Sequence, residues 1–180
     1  MGTERITFEG HGGDELAARL DMPDGPVLAT ALFAHCFTCS KDSHAARRIS
    51  ARLAAMGIAV LRFDFTGLGD SDGEFGNTHF TSNVDDLKAA ADYLAARGMG
   101  PELLIGHSLG GAAVLKAAGD IDGAKAVVSI GAPFDPEHVT GHFGAAVSEI
   151  ERTGAADVTL GGRPFTIRKE FLQDIGAAKL

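Results

Sequence analysis

The chain has 180 residues, of which 45% are hydrophobic and 22% charged, as expected for one soluble globular domain with its own core. Its net charge is −8 and its longest basic run is Arg47-Arg48, which argues against a nucleic-acid-binding surface. Neither a signal peptide nor an apolar run of the roughly 18–20 residues needed to cross a membrane is seen, so we expect a cytoplasmic protein with no membrane partner.

Apolar runs of strand length alternate with helical periodicity along the first 130 residues. Strands are predicted at 4–8, 15–20, 27–34, 58–63, 102–106 and 124–130. Helices are predicted at 43–56, 83–97 and 109–118. This alternation predicts an α/β fold, in which a mostly parallel sheet is covered by helices on both faces. Ligands of such sheets bind at the C-terminal ends of the strands.

Two of these helices carry local signals. The apolar face predicted for helix 43–56 consists of Ala45, Ile49, Leu53 and Met56. The predicted start of helix 83–97 is a capping box made by Ser82 and Asp85. Its predicted apolar face consists of Val84, Leu87, Ala91 and Leu94.

The most specific motif is Gly106-His107-Ser108-Leu109-Gly110, a G-x-S-x-G that lies between a predicted strand and a predicted helix. In that context Ser108 is predicted to be a nucleophile on a strained turn. The turn crowds the residues two before and two after Ser108 together, so both positions are predicted to require a residue as small as Gly106 and Gly110. The helix N-terminus would direct its amides at a developing oxyanion. The alternatives are a plain glycine-rich connection and a phosphate-binding turn.

Two further motifs follow predicted strands. His35-Cys36-Phe37 follows the third strand, and residues 64–73 (DFTGLGDSDG) follow the fourth. His35 is predicted to shape its loop through hydrogen bonds. Asp64 is predicted to bond loop amides rather than to take part in chemistry.

Together these motifs resemble those of the α/β-hydrolase superfamily over residues 1 to about 130, with Thr66 where the family's D-x-R-G-x-G-x-S loop has Arg. Residues 35–42 (HCFTCSKD), 62–67 (RFDFTG) and 161–169 (GGRPFTIRK) further resemble bacterial hydrolases fused to a C-terminal OsmC-type domain. That closer resemblance covers all 180 residues.

The resemblance implies a single α/β-hydrolase domain over residues 1–180, with a core at 1–130 and a cap at 131–175. It implies a serine hydrolase of the esterase or acyl-hydrolase type that acts on a small acyl substrate, without a cofactor or metal. Ser108 would be the nucleophile, and the backbone N–H groups of Phe37 and Leu109 would form the oxyanion hole.

Members of this superfamily continue with two more strands, which carry the acid and the histidine of the triad. The sequence stops at Leu180, so we expect a fragment that lacks the C-terminal strands and has weak or no activity alone. His107 abuts Ser108 but is expected to point away from it. His138 and His142 are the alternative bases, and Asp135 is either an alternative acid or a helix cap.

Two other functions stay open. Cys36 and Cys39 have C-x-x-C spacing, which is typical of a thiol-redox role, although two buried or loop thiols are the preferred interpretation. The chain could instead be a non-catalytic domain that binds an acyl ligand or a partner. Missing strands would expose a sheet edge, through which the chain would form a homo-oligomer.

Overall fold

The computed structural model describes residues 2–180, which form two sheets and five α-helices. The strands are β1 (Gly2–Glu9), β2 (Glu15–Met22), β3 (Ala29–Ala34), β4 (Ile58–Phe63), β5 (Leu103–His107), β6 (Ala126–Ile130), β7 (Ala155–Leu160) and β8 (Arg163–Arg168). The helices are α1 (His44–Ala54), α2 (Phe80–Ala96), α3 (Leu109–Ala117), α4 (Ala146–Thr153) and α5 (Lys169–Ala177). Across residues 2–180, no helix is long and apolar enough to cross a membrane.

The main sheet has six strands in the order β1-β2-β4-β3-β5-β6. β1 and β2 form an antiparallel hairpin, and β2 is antiparallel to β4. The pairs β3–β4, β3–β5 and β5–β6 are all parallel. The predicted α/β fold with a mostly parallel sheet is therefore confirmed, and each of the six predicted strands is present.

Helices cover both faces of this sheet. On one face, Ala46 of α1 packs with Phe33 and Val60 in a small apolar cluster. On the other face, α2 and α3 bury the larger cluster, which includes Leu87 and Val114. Strands whose two faces are both covered are mostly apolar, as in ATALFA of β3 and IAVLRF of β4, where the buried Arg62 pairs with Asp21 at 2.8 Å.

The predicted apolar face of α1 is confirmed at Ile49 and Leu53, which are partly buried against this small cluster, but it is wrong at Ala45 and Met56. The buried residues of this helix are Ala46, Ser50 and Ala54, whereas Ala45 is exposed and Met56 lies beyond the helix with 56% of its surface exposed. The small side chains let α1 lie close to the sheet. Close packing against the sheet therefore determines which face of the helix is fully buried.

The predicted N-terminal cap of α2 is also wrong, because the helix starts at Phe80. His79 is the N-cap, and its Nδ1 accepts a hydrogen bond from the backbone N–H of Ser82 at 3.1 Å. Ser82 Oγ in turn accepts from the backbone N–H of His79, which completes a capping box that uses a ring nitrogen. The predicted apolar face of α2 is confirmed, since Val84, Leu87, Ala91 and Leu94 are all buried.

Residues 131–180 form a small layer of their own. A 3-10 helix at Pro136–His142 leads into α4, the antiparallel β7–β8 hairpin and α5. Asp174 of α5 accepts hydrogen bonds from the backbone N–H and the hydroxyl of Thr81, at 2.7 and 2.6 Å. This pair fastens the end of the chain to the first turn of α2.

Candidate active site

The three motifs meet at one edge of the main sheet. β3 lies between β4 and β5, and Ala34 of β3 pairs with Gly106 of β5. Parallel strands end at the same edge, so the loops that start at His35, Asp64 and Ser108 are neighbours. This is the edge at which sheets of this kind bind ligands.

Ser108 occupies a strained turn between β5 and α3. Its φ is 54° and its ψ is −123°, a region that a residue with a side chain rarely adopts. Its backbone N–H donates to the carbonyl oxygen of Ile130 at 2.8 Å, and its own carbonyl accepts from the N–H of Gly111. The side chain is half-buried, and within residues 2–180 it makes no hydrogen bond.

The glycines around Ser108 have no room for a side chain. A Cβ on Gly106 would lie 2.2 Å from the carbonyl oxygen of Gly110. A Cβ on Gly110 would lie 2.3 Å from the carbonyl oxygen of His35. The second contact also shows that the first turn of α3 packs directly against the loop that follows β3.

Two backbone N–H groups beside this turn are free. The N–H of Leu109 is the first in α3 and has no partner inside the helix. The N–H of Phe37 likewise donates to no group among residues 2–180. Both N–H groups are therefore free to donate hydrogen bonds to an external anionic oxygen.

His35 fixes the loop that carries Phe37, as the sequence predicts. Its ring is 1% exposed, and Nδ1 donates to the carbonyl oxygen of Cys36 at 2.8 Å. A carbonyl can only accept, so Nδ1 carries the proton. Nε2 is buried with no hydrogen-bond partner among the described residues, 3.8 Å from Asp64 Oδ1. Burial lowers the pKa of this imidazole, more than the Cys36 hydrogen bond and the Asp64 charge raise it.

Asp64 bonds loop amides, as predicted, but it also holds a buried ion pair that the sequence analysis did not find. Its carboxylate accepts from the backbone N–H groups of Lys41 and Asp70, at 2.6 and 2.9 Å. Lys41 Nζ lies 2.7 Å from both Asp64 Oδ2 and Asp70 Oδ2. Burial lowers the pKa of Lys41, but the hydrogen bonds to Asp64 and Asp70 outweigh it and the pKa is raised overall.

A second buried carboxylate was also missed. Asp86 of α2 is fully buried and accepts from the backbone N–H and hydroxyl of Thr66, at 3.0 and 2.8 Å. Its other oxygen lies 2.7 Å from His11 Nδ1 in the β1–β2 turn. Seventy-five residues separate His11 from Asp86, so no local pattern could have paired them.

Aromatic side chains from residues 131–180 cover the loop after β3. Phe37 packs against Phe75, Phe143 and Phe171, with ring centroids 5.6, 6.2 and 5.5 Å away. The cavity lined by Phe37 and Leu109 measures only about 10 Å³, room for a single water molecule.

Cys36 and Cys39 form a disulfide, with their Cα atoms 5.2 Å apart. The alternative of two free, unreactive thiols is therefore wrong. The sulfurs belong to half-buried residues at the ends of a four-residue loop that contains Phe37.

The remaining candidate acid and bases lie away from the serine hydroxyl. Asp135 caps the 3-10 helix of residues 136–142, because its Oδ1 accepts from the N–H of Glu137 at 3.0 Å. No side-chain hydrogen bond joins His107, His138 or His142 to Ser108 within residues 2–180. The structure thus brings together Ser108, Phe37, Leu109, Gly106 and Gly110, but residues 2–180 place no base within hydrogen-bond distance of Ser108.

A family model places this chain among known hydrolases. The model that matches is described as serine aminopeptidase, S33, and it covers residues 29–159. No curated protein sequence matches the chain.

Solved structures resemble the chain over most of its length. The esterase domain of a Rhodothermus marinus protein is 50% identical, with a TM-score of 0.74, and the match covers 99% of this chain and 70% of that domain. An α/β serine hydrolase without a lid, from Xanthomonas campestris, is 28% identical with a TM-score of 0.66, over 74% of this chain and 63% of the other. The protein Est1E of Butyrivibrio proteoclasticus, solved with ferulic acid, is 24% identical with a TM-score of 0.79, over 97% of this chain and 71% of the other, which shows the fold alone.

Proposed function

Because the chain belongs to the serine aminopeptidase S33 family of α/β-hydrolases, we propose that it hydrolyses carboxylic esters with Ser108 as the nucleophile. The observation that carries this proposal is the backbone of Ser108, held at φ 54° by two glycines that admit no side chain. A structure maintains such strain where it presents a reactive group. The 50% identity to a domain named as an esterase favours esters over peptides.

In the proposed reaction, Ser108 Oγ attacks the carbonyl carbon of the ester. The carbonyl oxygen becomes an oxyanion, which accepts hydrogen bonds from the N–H groups of Phe37 and Leu109. The N-terminal end of α3 adds the positive end of its dipole at the same point. Collapse of the intermediate expels the alcohol and leaves an acyl-serine, which water then hydrolyses.

The proton of Ser108 must go to a base, and residues 2–180 place none within hydrogen-bond distance of it. We propose that the histidine and the acid of the triad belong to chain outside these residues. A serine without a base is a weak nucleophile, so residues 1–180 alone are expected to react slowly.

Residues 131–175 are proposed to act as a cap over this site. Phe143 and Phe171 pack on Phe37, and Arg163 donates to the carbonyl oxygen of Thr38. Fusion to an OsmC-type domain stays a prediction, which the gene sequence beyond codon 180 tests.

The test is the hydrolysis of p-nitrophenyl esters by the full-length natural protein. We expect Ser108→Ala to lower kcat/KM by at least about 10³-fold, because the acyl-enzyme cannot form. Ser129→Ala, a matched control on the neighbouring strand β6, should leave the rate unchanged. Hydrolysis that survives Ser108→Ala, or an aminoacyl anilide cleaved faster than any ester, would contradict the proposal.

A further inference from the structure

The Cys36–Cys39 disulfide encloses one of the two proposed oxyanion donors. The ring that it closes contains only Phe37 and Thr38 between the two cysteines. The N–H of Phe37 is free, whereas the carbonyl of Cys36 in the same peptide unit is fixed from two sides. It accepts from His35 Nδ1 at 2.8 Å and from the N–H of Cys39 at 3.0 Å. The direction of the Phe37 N–H therefore depends on the conformation of this ring.

Thr38 shows that the ring is held under backbone strain. Its φ is 61°, and Ser108 is the other non-glycine residue with a positive φ among residues 2–180. A β-branched side chain disfavours this region, so the surroundings must hold Thr38 there. The bonds across the ring are the disulfide and the Cys39-to-Cys36 hydrogen bond, and Arg163 donates to the Thr38 carbonyl from outside. Opening the disulfide removes the covalent bond among them.

The disulfide is also accessible. Residues 36–40 are all half-buried rather than buried, although the flanking Ala34, His35 and Lys41 are fully enclosed. A pair of cysteines three residues apart on such a loop can be approached by an external thiolate. Exposed disulfides are the ones that thiols reduce most readily.

We propose that the Cys36–Cys39 disulfide is a reducible site that gates hydrolysis through the orientation of the Phe37 N–H. This inference rests on the proposed function of Ser108. The oxidised chain is the active form. Reduction lets Thr38 relax to a negative φ, which turns the Phe37 N–H away from the oxyanion.

The co-reactant is a dithiol, either a small molecule or a protein. One of its thiolates attacks a sulfur of the disulfide, and the other cysteine leaves as a thiolate that takes up a proton. The second thiol of the reductant then attacks the reductant's own sulfur in the mixed disulfide and releases the remaining cysteine as a thiol. The dithiol loses two electrons and two protons and becomes a disulfide, while Cys36 and Cys39 gain them and become thiols.

The experiment compares oxidised and dithiol-reduced full-length protein in p-nitrophenyl ester hydrolysis. Reduction should lower kcat by about 10²–10³-fold, the usual effect of losing one oxyanion donor, and reoxidation should restore it. The Cys36→Ser/Cys39→Ser double variant should have the low kcat of the reduced protein, and the dithiol should not change it. Thr38→Asn should lose less activity on reduction than wild type, because asparagine tolerates a positive φ.

Two further measurements keep the outcomes separate. Thiol alkylation followed by mass spectrometry should find both cysteines modified after reduction only. Amide hydrogen exchange at Cys39, whose N–H donates to the Cys36 carbonyl at 3.0 Å, should speed up on reduction while exchange in β3 and β5 stays slow. An unchanged kcat with both thiols freed, a disulfide that resists the dithiol in the folded protein, or unfolding of the whole domain on reduction would each overturn the inference.

Failure of the proposed function gives a different pattern. Ester hydrolysis that survives Ser108→Ala, or no hydrolysis at all, would rule out the role of Ser108 but leave the exchange measurement at Cys39 as the test of the loop. Ser108-dependent hydrolysis whose rate does not change with the redox state would rule out the gating inference alone.

Discussion

Ser108 and the glycines beside it act as one steric unit at the residue scale. The turn brings Gly106 against Gly110, and Gly110 against the loop after β3, so each glycine is needed because of a specific backbone oxygen. The G-x-S-x-G spacing therefore fixes the nucleophile and the start of α3 together. This arrangement follows from close-packed backbone and needs no support from distant charges.

Gly110→Ala tests this packing. Its Cβ would meet two carbonyl oxygens, those of His35 and Ala34, at 2.3 and 2.5 Å. We expect a loss of about 3 kcal/mol or more in the free energy of unfolding, measured by urea denaturation. Gly119→Ala is the matched control, because a Cβ there has nothing within 4 Å and should change stability by less than about 0.5 kcal/mol. Equal stabilities of the two variants would contradict the steric account.

The buried imidazole of His35 gives a pH prediction. Burial lowers its pKa in the folded chain, so below about pH 6.5 the unfolded chain binds a proton that the folded chain does not. Stability from this group is complete above that pH and is lost as the pH falls, by at most about 1.4 kcal/mol per pH unit.

His35→Asn keeps a donor for the Cys36 carbonyl but cannot titrate. The free energy of unfolding of this variant should therefore fall less steeply than that of wild type between about pH 7 and pH 5. Urea denaturation at several pH values measures both slopes. Identical slopes would show that folding does not lower the pKa of His35.

At the element scale, the buried pair Lys41–Asp64 joins the loop before α1 to the loop after β4. Lys41 is 2% exposed and Asp64 is fully buried, so each charge depends on the other. Lys41→Met leaves the Asp64 carboxylate buried without its cation, and we expect a loss of about 3–5 kcal/mol in the free energy of unfolding. Lys88→Met removes a half-exposed lysine that pairs with Asp85 and Asp120, and should cost less than about 1 kcal/mol. A small effect of Lys41→Met would contradict this dependence of the Asp64 carboxylate on its cation.

Individual elements show what local sequence can and cannot predict. The face of α2 was predictable because leucines and a valine recur at helical spacing on a helix that packs in the main core. The fully buried face of α1 was not predictable, because close contact with the sheet favours the small alanines and leaves the larger side chains at the boundary of the contact. The N-terminal cap of α2 was missed because a histidine ring nitrogen accepts the hydrogen bond that a hydroxyl or carboxylate usually accepts at this position.

The same distinction applies to the candidate site. Ser108, Gly106 and Gly110 follow from one short motif with a steric cause. The Lys41–Asp64 and His11–Asp86 pairs join residues 23 and 75 positions apart, and only the folded sheet brings them together. The disulfide was left open for another reason, since C-x-x-C spacing fits both a bond and free thiols.

At the scale of the whole molecule, the two edges of the main sheet differ. The edge strand β1 carries Glu4, Arg5 and Glu9, which discourage pairing with a second chain. The edge strand β6 (AVVSI) has no charge, and Val128 on it is 43% exposed. Self-association through β6 is therefore a prediction for residues 1–180.

Val128→Lys should shift this association toward the monomer in light scattering at high protein concentration, because it places a charge on the open edge. Thr7→Lys on β1 is the matched control and should leave the mass unchanged. A clean monomer in the unmodified chain would contradict the prediction.

Covalent labelling of the full-length natural protein by a fluorophosphonate tests the role of Ser108 as the nucleophile most directly. The predicted result is one phosphonate adduct, located by peptide mass spectrometry on Ser108, which persists in Ser129→Ala and is lost in Ser108→Ala. An adduct on another residue, or one that persists in Ser108→Ala, would contradict the assignment of the nucleophile.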